Sequence, residues 1–96
     1  MTQIVFISHG GGPLPLLGDS NHIELIQHLR QLSHDLEAPK QILVISAHWE
    51  ERIPTVLSME EHHLYFDYYG FPKHTYELTW PAPTAPDLDQ RVLDLL

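Results

Sequence analysis

Gln41-Ile42-Leu43-Val44-Ile45-Ser46 is the stretch on which the reading of the fold turns. It repeats the pattern of Gln3-Ile4-Val5-Phe6-Ile7-Ser8, an apolar run rich in β-formers that ends in a serine. No polar alternation interrupts either run, which is the pattern of a strand covered on both faces. Between them, residues 10–19 read as a loop containing Gly10, Gly11, Gly12, Pro13, Pro15 and Gly18. A helix is expected from near Asn21, because Asn21 and Glu24 have the spacing of a capping box. Ile23, Leu25, Ile26, Leu29, Leu32 and Leu36 recur at three- and four-residue steps and make one apolar stripe. Pro39 forbids much continuation. Strand, loop, helix, strand is a βαβ unit, whose strands are parallel and whose crossover is right-handed. The expected fold class is α/β, with a mostly parallel sheet.

Further along, residues 54–59 are expected to form a third strand. Residues 60–80 are irregular and rich in aromatics, and residues 81–86, Pro-Ala-Pro-Thr-Ala-Pro, form a stiff connector. Thr84 and Asp87 look like the cap of a second helix with Leu88, Val92, Leu95 and Leu96 on one face. No C-cap glycine follows. A parallel sheet needs cover on both faces, and one and a half helices supply little. Residues 1–96 are therefore expected to be the N-terminal part of one larger α/β catalytic domain. Its apolar face would be hidden by oligomerisation or by a missing C-terminal part.

The composition narrows the function classes. Thirteen acidic and five basic residues give a formal net charge of −8. That balance repels phosphate backbones and argues against nucleic-acid binding. The hydrophobic share of 43% and the charged share of 19% are those of an ordinary globular chain. Cysteine is absent, which excludes disulfides and thiolate metal sites and is compatible with the cytoplasm. The N-terminus has no basic region and only a short apolar run, so neither a signal peptide nor a membrane span is expected.

Eight histidines are an unusual number, and two of them sit in matched places. His9 follows the first apolar run, and His48 follows the second within Ser46-Ala47-His48-Trp49. In parallel strands both lie at the carboxyl edge of the sheet, outside which ligands bind in open α/β folds. Neighbouring strands run about 4.8 Å apart. Two imidazoles leaving there can meet on one ion, since His–metal bonds of about 2.1 Å put the ligand nitrogens roughly 3 Å apart. Gly10, Gly11 and Gly12 would let the backbone turn after His9 and leave room for a metal and a substrate. Two histidines, one carboxylate and open positions suit Fe(II), and the same ligands can hold zinc with a bound water. A single strand-end histidine is also commonly a hydrogen-bonding group with no catalytic role.

His9-Gly10-Gly11-Gly12 has a second reading, as the oxyanion-hole loop of a lipase-like hydrolase. That reading needs a Gly-x-Ser-x-Gly elbow, and none occurs in these residues. A third reading is a non-catalytic metal-binding or assembly module. A nucleotide loop fits least, because neither G-x-G-x-x-G nor Gly-Lys-Ser/Thr is present.

Other residues carry weaker signals. Glu50 and Glu51 follow His48 after Trp49; either could be proposed as the carboxylate of a facial triad, but a solvated start to the next loop is the favoured reading, because adjacent residues rarely reach the same ion as a strand-end ligand. Asp67 is a candidate for contacting a ligand or orienting a histidine, with an Asx-turn as the alternative. Tyr65, Phe66, Tyr68, Tyr69, Phe71, Tyr76 and Trp80 could wall an aromatic pocket, or pack in a core or between subunits. Trp49 reads as a packing residue. His22, His28 and His34 fall at exposed helix positions, His62 and His63 in a surface loop, and His74 in an exposed segment.

The strings "SHGGGPLPLLGD", "VISAHWEE" and "YYGFPKHTYELTWPAP", in that order, resemble the N-terminal region of class III extradiol ring-cleavage dioxygenases of the LigB-like, DOPA-dioxygenase type. The likeness runs from about Ile4 to beyond Arg91. It implies an α/β sandwich of the phosphorylase/peptidyl-hydrolase-like kind. It also implies a non-haem Fe(II) centre, with zinc in some members, that opens a small aromatic diol with O₂. By that resemblance His9 and His48 are metal ligands; on the reading of the residues above, Gly10, Gly11, Gly12, Asp67 and Tyr69 are expected to border the substrate pocket. The remaining ligand and the acid–base histidine are expected beyond Leu96.

Overall fold

The computed structural model describes residues 2–57 and 61–96. Regular structure among them is helical: α1 spans Ile23–Asp35 and α2 spans Pro86–Leu95, with short 3-10 turns at Ser20–His22 and Lys73–Tyr76. The chain divides into two compact units. One is Met1–Ala38 with Asp67–Thr75, and the other is Pro39–Phe66 with Tyr76–Leu96.

The expected parallel sheet does not form: there is no strand among the described residues. This overturns the βαβ unit and the α/β sandwich built on it. Residues 3–8 and 41–46 have β-forming composition, yet Ile4 is 94% exposed, Phe6 101% and Ile45 92%. Propensity alone does not make a strand. A strand requires a hydrogen-bonded neighbour and a covered face, and these two runs fall in different units. Residues 54–57 likewise have no strand pairing, and the rest of the expected third strand, Ser58 and Met59, lies outside the described residues.

Both helices form, with different starts from those expected. In α1 the stripe is realised except at its first residue: Leu25, Ile26, Leu29, Leu32 and Leu36 are half-buried while Glu24, Gln27, His28, Arg30 and Gln31 are exposed, but Ile23 is also exposed. Asn21 makes no cap: His22 holds the N-cap position of α1 without a side-chain bond, and the 3-10 turn before it is capped by Asp19. Its carboxylate accepts the Asn21 N–H at 3.1 Å and leads the chain through the 3-10 turn into α1. The helix closes where the Leu36 N–H bonds the Leu32 carbonyl at 3.0 Å and Leu36 turns out of the helical region. At α2, Thr84 makes no cap. Ala85 holds that position without a side-chain bond, and Pro86 starts the helix, where its missing N–H costs nothing. Asp87 and Asp89 in the first turn favour the positive end of the helix dipole. Leu88 and Val92 are half-buried, whereas Leu95 and Leu96 are 80% and 67% exposed.

Two contacts organise the first unit. The Gln3 side-chain amide donates to the Glu37 carbonyl and accepts the Glu37 N–H, each at 2.9 Å. It thereby imitates one rung of backbone pairing and fastens the first apolar run to the exit of α1. Residues 11–19 wind through consecutive turns, with Leu14 N–H bonded to Gly11 at 3.1 Å, Leu17 to Pro13 at 3.1 Å and Asp19 to Leu14 at 3.2 Å. Pro13 is buried within this winding. The segment Asp67–Thr75 packs beside it. Thr75, only 2% exposed, donates its hydroxyl to the Pro72 carbonyl at 2.7 Å, and the Tyr68 hydroxyl donates to the Thr75 carbonyl.

In the second unit Phe66 and Tyr76 meet edge to face, 6.0 Å between ring centres. Apart from Pro13, no apolar side chain is fully buried among the described residues, so neither unit has a dry core.

Candidate metal-binding loop and its surroundings

His9 ends the first apolar run and is exposed. The backbone after it turns at once, because Gly10 has φ +76°. Only glycine takes that conformation without steric cost. A second constraint acts at the same place. A Cβ on Gly10 would stand 2.6 Å from Cδ2 of His22 and 2.9 Å from a methyl of Leu25. A Cβ on Gly12 (φ +49°) would stand 3.2 Å from the Phe71 ring. The space beside the glycines is thus occupied by side chains from the α1 entry and from Asp67–Thr75.

His22 is the residue that sequence reasoning missed. His28 and His34 are exposed on α1 as expected, but the His22 side chain is only 19% exposed and turns toward the glycine loop. The Gly11 N–H donates to His22 Nε2 at 3.2 Å, and His22 Nδ1 lies 2.7 Å from Asp19 Oδ2. An N–H aimed at Nε2 requires that nitrogen to be unprotonated, so the proton sits on Nδ1 and is donated to Asp19. One carboxylate oxygen therefore caps the 3-10 turn and fixes the tautomer of the ring. The available signal was the Asp19-x-x-His22 spacing directly after a glycine-rich loop.

Of the other residues assigned to a pocket, Asp67 is exposed and Tyr69 is 91% exposed. The aromatic rings of that segment nearest the loop are Phe71 and Tyr68, which pack edge to face at 5.5 Å.

His48 belongs to the second unit, where it is exposed and its N–H donates to Ser46 Oγ at 3.2 Å. Trp49 donates its indole N–H to Glu51 Oε1 at 2.9 Å, which engages one of the two carboxylates that follow His48. A cavity of about 490 Å³ opens beside them, lined by the consecutive residues from Trp49 to Thr55. His63 lies 3.8 Å from Glu61, both exposed, whereas Nε2 of His62 is buried with no hydrogen-bond partner. Among the described residues no group of three or more His, Asp or Glu side chains stands together as a metal cage. No described helix is long and apolar enough to cross a membrane.

No protein-family profile matches the chain, and no solved structure matches it significantly. Curated relatives do. The chain is 40% identical over 95 residues to dioxygenase tasH of Hapsidospora irregularis, covering 92% of this chain and 29% of that protein. It is 38% identical over 98 residues to 4,5-DOPA dioxygenase extradiol of Mirabilis jalapa, covering all of this chain and 36% of the relative. It is 37% identical over 92 residues to the protein of the same name from Escherichia coli strain K12, covering 96% and 32%. These matches are consistent with a fragment of a LigB-like extradiol dioxygenase. The chain spans about a third of the length of the relatives it matches.

Proposed function

We propose that this chain is the part of an extradiol ring-opening dioxygenase that contributes two histidine ligands, His9 and His48, to a metal centre. The observation that carries the reading is the identity of 37–40%, over nearly the whole chain, to proteins named 4,5-DOPA dioxygenase extradiol and dioxygenase tasH. The donor chemistry agrees in part. Both imidazoles are exposed and no thiolate competes, which suits Fe(II) first and Zn(II) second. No group of three or more donors stands together among the described residues, and on this reading the centre would be completed by ligands outside this stretch. A bound Fe(II) would supply a place where a catechol-type diol and O₂ meet, and both oxygen atoms of O₂ would enter the opened ring. The chain's own part is to present His9 on a fixed turn and to border the site with Gly10, Gly11 and Gly12. Asp67 and Tyr69 are proposed to face the diol in the complete protein.

The hydrolase alternative is disfavoured by one geometric fact. The Gly11 N–H, which an oxyanion hole would aim at a developing charge, already donates to His22.

The test is metal uptake by the 96-residue chain and by its His9→Ala and His48→Ala variants, measured under anaerobic Fe(II) and under Zn(II). Each variant should lose most of the bound metal and keep the circular dichroism of α1 and α2. Equal metal content in all three proteins would refute the ligand assignment. Ester turnover without metal would revive the hydrolase.

A further inference from the structure

We propose that Asp19 and His22 act together as a positioning pair that sets the direction in which His9 is presented. The inference rests on the metal-binding reading above for its functional half, and on geometry alone for its structural half. His22 reaches back from the entry of α1 and accepts the Gly11 N–H, two residues after His9. Asp19 holds the ring by accepting a hydrogen bond from Nδ1–H at 2.7 Å, so the ring offers its lone pair to the loop and to nothing else. The His22 side chain is 19% exposed and that of Asp19 26%, and both are anchored to the same 3-10 turn, the carboxylate through the Asn21 N–H. Gly10 carries no Cβ at the point where the His22 ring lies closest, and its φ of +76° is the turn that the ring supports. These features form one chain of contacts, from Asp19 through the imidazole to the peptide after His9. Neither residue is a metal ligand in this arrangement. His22 has one nitrogen committed to a backbone donor and the other to a carboxylate. Its role resembles that of the outer groups that orient ligating histidines, except that it acts through the backbone.

The experiment uses the 96-residue chain, with three variants and two readouts. The first readout is nuclear magnetic resonance, giving hydrogen exchange at the Gly11 amide and the protonation pattern of the His22 ring nitrogens. The second is Zn(II) affinity. In the wild type the Gly11 amide should exchange about fivefold more slowly than an unbonded loop amide, and the ring should be in the Nδ1–H form. His22→Phe keeps a ring against Gly10 but removes both nitrogens. It should lose the protection and weaken Zn(II) binding about tenfold, the scale of a lost orienting partner. Asp19→Ala should release the tautomer and weaken binding in the same direction. Asp19→Asn, whose amide oxygen can still accept the Nδ1 proton, should restore both readouts. Unprotected Gly11 in the wild type, or a ring protonated on Nε2, would overturn the pair. Zn(II) affinity unchanged in His22→Phe, with protection lost, would overturn the positioning role and leave the ligand reading intact. If the wild type binds no Zn(II), the metal reading fails, the positioning role falls with it, and exchange at Gly11 alone decides whether the pair exists.

Discussion

Substituting alanine at Gly10 tests the packing of the loop against the rest of the first unit. Two costs add at this position. The backbone sits at φ +76°, where an L-residue costs about 1–2 kcal/mol. The new Cβ would also meet His22 Cδ2 at 2.6 Å, His22 Nε2 at 2.8 Å and Leu25 Cδ2 at 2.9 Å, all closer than real contacts allow. Overpacking of that kind costs about 1–3 kcal/mol, so the sum is about 2–5 kcal/mol. Gly18 is the matched control. It has φ +71° and nothing within 4 Å of a built Cβ, so Gly18→Ala should cost only the backbone share of about 1–2 kcal/mol. Gly11 is the second control. It lacks a positive φ and its Cβ would make an ordinary 3.4 Å contact with Leu14, so Gly11→Ala should be neutral or gain up to about 1 kcal/mol. Urea denaturation followed by far-ultraviolet circular dichroism gives the three values. Equal losses for Gly10→Ala and Gly18→Ala would show that His22 and Leu25 do not close on the loop, and the reasoning would fail.

Three further outcomes are expected. Phe6→Ser should change stability by less than about 0.5 kcal/mol, because Phe6 is fully exposed; a loss of 3 kcal/mol or more would restore the first run to a buried strand. Thr75→Val should cost about 1 kcal/mol by removing the hydroxyl donor to Pro72 from a buried position, and a neutral result in the same urea titration would contradict that bond. Gln90→Ala should lower the helix content of α2 only slightly, by about 0.3 kcal/mol, since its 2.8 Å bond to Asp94 is exposed; loss of the whole helix by circular dichroism would contradict this.

The helices were legible in the sequence because their signal is local. Leu25, Ile26, Leu29 and Leu32 declare a face within a dozen residues, as Leu88 and Val92 do for α2, although the start of α2, expected at a Thr84–Asp87 cap, falls at Pro86. The strands were misread because their signal is not local. The composition of residues 3–8 and 41–46 states a preference, but a ladder depends on what lies alongside, and that information is not in either run. The start of α1 was misplaced by two residues because Asn21 and Glu24 imitate a capping box, while the carboxylate of Asp19 caps a 3-10 turn that takes up Ser20–His22 ahead of the helix. The importance of the glycine triplet was legible, though its neighbours were not. Gly10 was read as making room, and the ring of His22 stands there.

The bond between Gln3 and Glu37 has a practical consequence. It closes a loop 34 positions long in a protein without a single thiol, so it acts as a reversible staple made of amides. Reductants leave such a staple untouched. Urea, an amide itself, competes for the same donors and acceptors. On rising denaturant the amino-terminal arm should therefore swing loose before α1 unwinds, and a protease added at that stage would clip the arm and spare the helix.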